Sequence, residues 1–285
     1  MNTHMKNIYL FLRILLFISI SFFSCRPQTT DITDNQIRFD SVRITRNYHI
    51  NNDSTQPSCN LKLAFIYPSD YNDKVALDSL QRIFISSFFD ESYAHLSPQD
   101  AAKGYEENYI ESYKEDARIY AIDRVNEHDA HEVYTSYYEI DYNKIIFNKG
   151  GILSYQIDQT NYKGGASSYD FLKNRVIDLD ALKILTEEDL FNEGYAKVLG
   201  VSFRNSILKS KNVKNLADLE SLGYFGLEEM VPNGNFLLDN KGITYIFNKG
   251  EYSGYKTDAI KIFIPYEEIK PLIKENAIIS KFVSM

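Results

Sequence analysis

Tryptophan is absent from this chain, cysteine occurs twice and histidine five times in 285 residues. Two cysteines cannot build the disulfide framework of a small stapled domain. Neither C-x-x-C nor H-E-x-x-H occurs, so the common zinc-site spacings are missing. A membrane-spanning helix needs roughly 20 consecutive apolar residues, whereas the N-terminal run 14–23 (ILLFISISFF) has ten. Positive charge is in deficit, with 31 Lys and Arg against 39 Asp and Glu and a net charge of −8. That balance disfavours nucleic acid as a partner. Without tryptophan, any aromatic platform falls to the 22 tyrosines and 18 phenylalanines.

What is present begins with a leader. Lys6, Arg13 and the apolar run are followed by Ser24-Cys25. This is the pattern of a lipoprotein signal peptide over 1–24, with Cys25 as the lipidation site and first mature residue. The chain is then expected in the bacterial cell envelope, anchored to membrane by acyl groups such as palmitate. Removing Lys6 and Arg13 takes the mature balance to −10. Cys59 is left without a disulfide partner and, leading an alternating strand, is expected to be a small buried residue. Residues 25–36 are polar, lack apolar periodicity and read as a tether.

Residues 37–50 and 60–67 alternate around the turn-rich NNDSTQPS (51–58), predicting a hairpin. Helical periodicity follows over 75–89 and from Pro98 to about 126, the second helix carrying a Tyr105, Tyr109, Tyr113 stripe read as a packing face. From 132 the period changes to two, with glycine breaks at 150–151 and 164–165, which predicts an antiparallel meander. Thr186 to Asp189 reads as a capped helix start, followed by helices to Gly223 and strands at 235–239, 242–248 and 259–265. The fold class is α+β: antiparallel sheets with segregated helices in two modules, 37–180 and 181–285.

The loop 161–170 (NYKGGASSYD) holds a lysine, paired glycines and two serines. Its lysine precedes the glycines and a strand follows, unlike a phosphate-binding P-loop; it also lacks the G-x-S-x-G of a nucleophile elbow. It reads as a hairpin turn. His128 and His131, with neighbouring carboxylates, offer one alternative: a metal-assisted hydrolase or deacetylase of envelope glycans. Alternation places Tyr134, Tyr138 and Tyr142 on one face of a strand and Tyr137 on the other, and a partly exposed tyrosine face suits stacking on sugars or contact with a protein.

Five motifs carry a resemblance. They are Asn161-Tyr162-Lys163-Gly164-Gly165-Ala166; Asn174 with Val176-Ile177-Asp178-Leu179; Leu185-Thr186-Glu187-Glu188-Asp189-Leu190-Phe191; Gly242-Ile243-Thr244-Tyr245-Ile246-Phe247; and Ile264-Pro265-Tyr266-Glu267-Glu268-Ile269. In this order they resemble an extracytoplasmic module pair found in lysozyme-sensing anti-sigma-V factors, N-terminal to peptidoglycan deacetylase domains, and alone in lipoproteins. Ser167 stands where that family often has histidine, so no role resting on that imidazole carries over. The resemblance implies a non-catalytic binding protein with no cofactor, whose partner is a cationic protein such as lysozyme or a cell-wall glycan (peptidoglycan). A structural lipoprotein of an envelope assembly is a further alternative. The expected ligand-binding residues are Tyr138, Tyr162, Lys163, Gly164, Gly165 and Ser167.

Overall fold

The computed structural model describes residues 32–123, 136–164 and 168–283. β1 (Arg38–His49) and β2 (Ser58–Asp70) form the predicted hairpin, with Asn51 and Asn52 at φ 56° and 58° in its turn, a conformation asparagine tolerates better than most residues. The predicted helices are α1 (Lys74–Phe88), whose N-cap Asp73 accepts from Ala76 N at 2.9 Å, and α2 (Pro98–Asp123), with proline at its first position. β3 (Tyr137–Lys149) returns parallel to β2, because the chain crosses over through two helices and re-enters from the same end. β4 (Ile152–Tyr162), β5 (Tyr169–Asp178) and β6 (Lys183–Ile184) continue antiparallel, completing a six-stranded sheet in sequence order.

The helices cover one face of this sheet. Leu61, Leu63 and Phe65 of β2 meet Leu80 and Phe84 of α1 and Tyr113 of α2, and Phe84 stacks on Tyr155 of β4 at 4.2 Å. The tyrosine stripe of α2 is thus a packing face: Tyr109 and Tyr113 are buried. Cys59 is buried and free, as its position predicted, and burial together with Glu139 pushes its thiol pKa up to about 12.

After β6, Thr186 and Asp189 form the expected capping box at α3 (Glu187–Leu190). Helices α4 (Tyr195–Lys211) and α5 (Leu216–Ser221) lead to a three-stranded antiparallel sheet of β7 (Phe236–Leu238), β8 (Gly242–Phe247) and β9 (Ile260–Pro265). α6 (Tyr266–Ile269) and α7 (Ser280–Val283) end the described chain. Residues 33–284 form one compact unit. No helix among the described residues is long and apolar enough to cross a membrane.

The second sheet sits on the outer face of β4–β5. Ser154 Oγ donates to Leu238 O at 2.7 Å. Asn248 grips the otherwise unpaired edge of β5, accepting from Leu172 N at 2.8 Å and donating to Leu172 O at 3.0 Å; Asn235 accepts from Asn174 N at 2.8 Å. Side-chain amides here do what a neighbouring strand would do and close an open sheet edge. Among the described residues the outer face of β1–β3 has no such cover: Arg43, Lys62, Ile140, Tyr142 and Lys144 are all exposed.

Candidate functional site

Strand register lays the outward side chains of the first sheet in rows. One row runs Asn47, Asn60, Tyr138, Tyr162; the next Thr45, Lys62, Ile140, Thr160, Asp170; the third Arg43, Ala64, Tyr142, Asp158, Leu172. In the first, the rings of Tyr138 and Tyr162 lie 5.7 Å apart and 18° from parallel. In the third, Tyr142 is 40% exposed and its hydroxyl donates to Asp158 at 2.6 Å.

The far ends of the second and third rows pass under the second sheet. There a groove of about 1040 Å³ opens, with Asp158, Thr160, Asp170 and Leu172 on its floor. α4 and β9 wall it with Ser206, Ser210, Lys211, Lys261 and Phe263. Asp170 accepts from Thr160 Oγ1 and Lys249 Nζ, each at 3.0 Å, and these bonds hold its carboxyl below the usual range. The open tyrosine face adjoins the groove through Tyr142, whose partner Asp158 lines it, and together they can stack rings and hydrogen-bond hydroxyls.

The opposite face of the same strand is closed. Glu139 and Asp141 of β3 point toward the helices and are 4% and 2% exposed. Tyr105 of α2 donates a short hydrogen bond to Glu139 Oε1. Gln159 Nε2 donates to Asp141 Oδ2 at 3.3 Å, while Asp141 Oδ1 and the Tyr109 hydroxyl have no partner among the described residues. Burial first, and the charge of Glu139 second, push Asp141 up to about 8. This enclosed pair can hold a proton.

The expected ligand-binding residues do not all converge. Tyr138 and Tyr162 share the outer face. Lys163 turns to the helix side, its Nζ 5.7 Å from the centre of the Tyr109 ring. Gly164 adopts φ 86°, which fits the turn reading of its loop. Gly165, Ser167, Cys25, His128, His131 and Tyr134 lie outside the described residues. Among the described residues no group of His, Cys, Asp and Glu is arranged to hold a metal ion. Sequence reasoning missed Tyr142 as the link into the groove, and Glu139 and Asp141 altogether. The available signal was the segment EIDY (139–142), where acids alternate with large apolar or aromatic residues.

The chain is similar to proteins of the DUF3298 family. A family model described as a protein of unknown function (DUF3298) matches residues 188–267, the stretch from α3 into α6. A solved DUF3298-family structure from Bacteroides fragilis NCTC 9343 superposes with a TM-score of 0.83 at 30% identity, over 89% of this chain and 100% of that one. A DUF3298 family protein from Pseudomonas aeruginosa PAO1 shares the fold at a TM-score of 0.57 and 12% identity, over 86% and 97% of the two chains. No curated protein matches the chain significantly.

Proposed function

The chain belongs to the DUF3298 family, and from that premise we propose that it is a non-catalytic binding protein of the bacterial cell envelope, lipid-anchored through Cys25, that holds a cell-wall glycan. The observation that carries this reading is the row of Tyr138, Tyr162 and Tyr142 on an open sheet face beside a groove lined with hydroxyls, four lysines and three aspartates. Pyranose rings present apolar faces that stack on tyrosine and hydroxyls that bond to Ser206, Ser210 and the groove lysines. The leader pattern supports the envelope location.

A second reading takes a cationic protein such as lysozyme as the ligand. It is favoured by the mature balance of −10 and by the resemblance to the extracytoplasmic module of anti-sigma-V factors. The two readings separate in one experiment. Mature protein is incubated with insoluble peptidoglycan and, separately, with immobilised lysozyme, at low and raised salt. The glycan reading expects retention on peptidoglycan that falls when Tyr138 and Tyr142 are both replaced by alanine. Retention on lysozyme alone, lost at raised salt, transfers the function to the protein ligand; retention on neither overturns both. Release of soluble sugar or acetate during incubation would make the protein an enzyme. For the anchor, Cys25→Ser is expected to release the protein from membranes of an expressing bacterium, and unchanged membrane association of that variant overturns the lipidation.

A further inference from the structure

Over residues 41–47 of β1, 60–66 of β2 and 138–146 of β3, the outward positions carry Arg43, Lys62 and Lys144, all exposed, and no carboxylate. None of the three lies within ion-pair distance of a carboxylate among the described residues, whereas Arg38, Arg46, Lys149 and Lys249 each have one. Register sets two of the cations near the outward apolar and aromatic positions of β3: Arg43 and Tyr142 flank Ala64 in one row, and Lys62 adjoins Ile140 in the next. Arg43, Lys62, Ile140 and Tyr142 also line a shallow depression of about 290 Å³ on this face. In a chain of net charge −8, a face carrying only positive charge is a local reversal of the overall field. Long cationic side chains left unpaired beside exposed aromatic rings suit a ligand with flat apolar rings and anionic substituents at intervals.

The groove continues this pattern with less bias. Lys211, Lys256 and Lys261 line it with no carboxylate partner among the described residues, against Asp158, which takes the Tyr142 hydroxyl, and Asp258; Lys249 and Asp170 pair with each other. The cationic character is therefore strongest on the open face, where a ligand extending out of the groove would lie.

We infer that the open face of β1–β3 selects glycans that bear carboxylates, with sugar rings on Tyr138 and Tyr142 and carboxylates on Arg43, Lys62 and Lys144. This rests on the glycan-binding reading and adds to it the charge of the ligand and the residues that read it. It also runs against a cationic protein docking on this face, since like charges would meet there.

The test compares two soluble oligosaccharides of equal length by calorimetry with the mature protein: an uncharged oligomer of N-acetylglucosamine and an oligomer of a hexuronic acid. Both are run against wild type and against the triple variant Arg43→Gln, Lys62→Gln, Lys144→Gln. The changed residues are exposed and outside the core, and thermal melting checks that the variant stays folded. Wild type is expected to bind the uronate oligomer about five- to tenfold more tightly than the neutral one at low salt, and the triple variant to lose most of that preference, as three exposed charge contacts of modest strength allow. Equal binding of both oligomers, unmoved by the triple variant, overturns the inference and leaves the glycan reading standing. A uronate preference that survives in the triple variant also overturns it, moving the selecting charges elsewhere. Failure of wild type to bind either oligomer or peptidoglycan removes the reading and the inference together.

Discussion

The two faces of β3 invert the usual arrangement. Inward, toward the helices, the strand sends Glu139, Asp141 and Asn143, all buried; outward it sends Ile140, Tyr142 and Ile146, all exposed. Along β2, beside it, the pattern is ordinary: Leu61, Leu63 and Phe65 face inward and Lys62 outward. The difference teaches what each face of β3 is for. Burying three polar side chains costs stability unless each is bonded, and exposing large apolar ones forgoes the hydrophobic gain. On β3 the inward groups are bonded except at Asp141 Oδ1, which lacks a partner among the described residues, while the outward rings stay exposed.

Asn143 offers the sharpest way to break the inward half of that contrast. The parallel pairing of β2 with β3 ends at Ala64 and Tyr142, and beyond it the Asn143 amide takes over: it accepts from Ile66 N at 2.7 Å and donates to Ile66 O at 2.8 Å. Asn143→Ala leaves two main-chain groups without partners in a buried region, an expected loss of about 3 kcal/mol. Urea denaturation with an unchanged m-value would register it. A loss below about 1 kcal/mol would mean that water replaces the amide and that the site is less enclosed than its burial indicates.

Next in size is Tyr105→Phe, which removes the donor to Glu139 while keeping the ring. A hydrogen bond to a buried carboxylate is worth more than one between neutral groups, so the expected cost is about 2 kcal/mol. Tyr105 and Glu139 tie the first half of α2 to β3, so amide exchange in that half of the helix should rise in the same variant.

Asp141→Asn works in the opposite direction. Asp141 is pushed up to about 8 in the folded protein, by burial first and Glu139 second. Between the ordinary carboxylate range and that value the folded state holds more protons than the unfolded one, so stability falls as pH rises from about 4 to about 8. The pair is thus most favourable in acid, unlike a salt-bridged carboxylate, whose stabilisation is lost there. The substituted amide cannot ionise, so the variant is expected to gain about 1 kcal/mol at neutral pH and to flatten that slope. Wild-type stability that instead rises through this range would contradict the enclosed, proton-holding pair.

Much of the fold is legible before the chain is seen in three dimensions, because it is encoded locally. The Thr186–Asp189 cap, the turn at Asn51 and Asn52 and the α2 stripe each depend on residues within a few positions of one another. The stretch IFNKG, which occurs at 146–150 and again at 246–250, mixes the two scales: Gly150 and Gly250 both take positive φ locally, whereas Lys149 pairs with Asp34 and Lys249 with Asp170, far away along the chain. The site is less legible. Alternation separates Tyr138 and Tyr142 from Tyr137, but which face meets the helices is decided by Leu61 and Leu63, some 75 or more positions earlier in the chain. Adjacent residues can also part company, as Tyr162 goes outward with Tyr138 while Lys163 goes inward to Tyr109. The floor of the groove exists only because Asn235 and Asn248 dock a distant sheet on β5.

Tyr142 provides the smallest effect on stability and the cleanest contrast with its neighbour Asp141. Its hydroxyl bonds to Asp158 at an exposed position, where such bonds add little. Tyr142→Phe should therefore shift stability by less than about 0.5 kcal/mol and, because the ring remains, reduce glycan binding by no more than about twofold. Tyr142→Ala removes the stacking surface as well, and its loss of binding should be several times greater while the protein remains folded. If the phenylalanine variant lost as much binding as the alanine variant, the hydroxyl and its bond to Asp158 would be what the ligand reads, and stacking would not be the basis of recognition on this face. If neither variant changed binding, the outward residues of β3 would have no part in it, and the ligand would lie wholly within the groove.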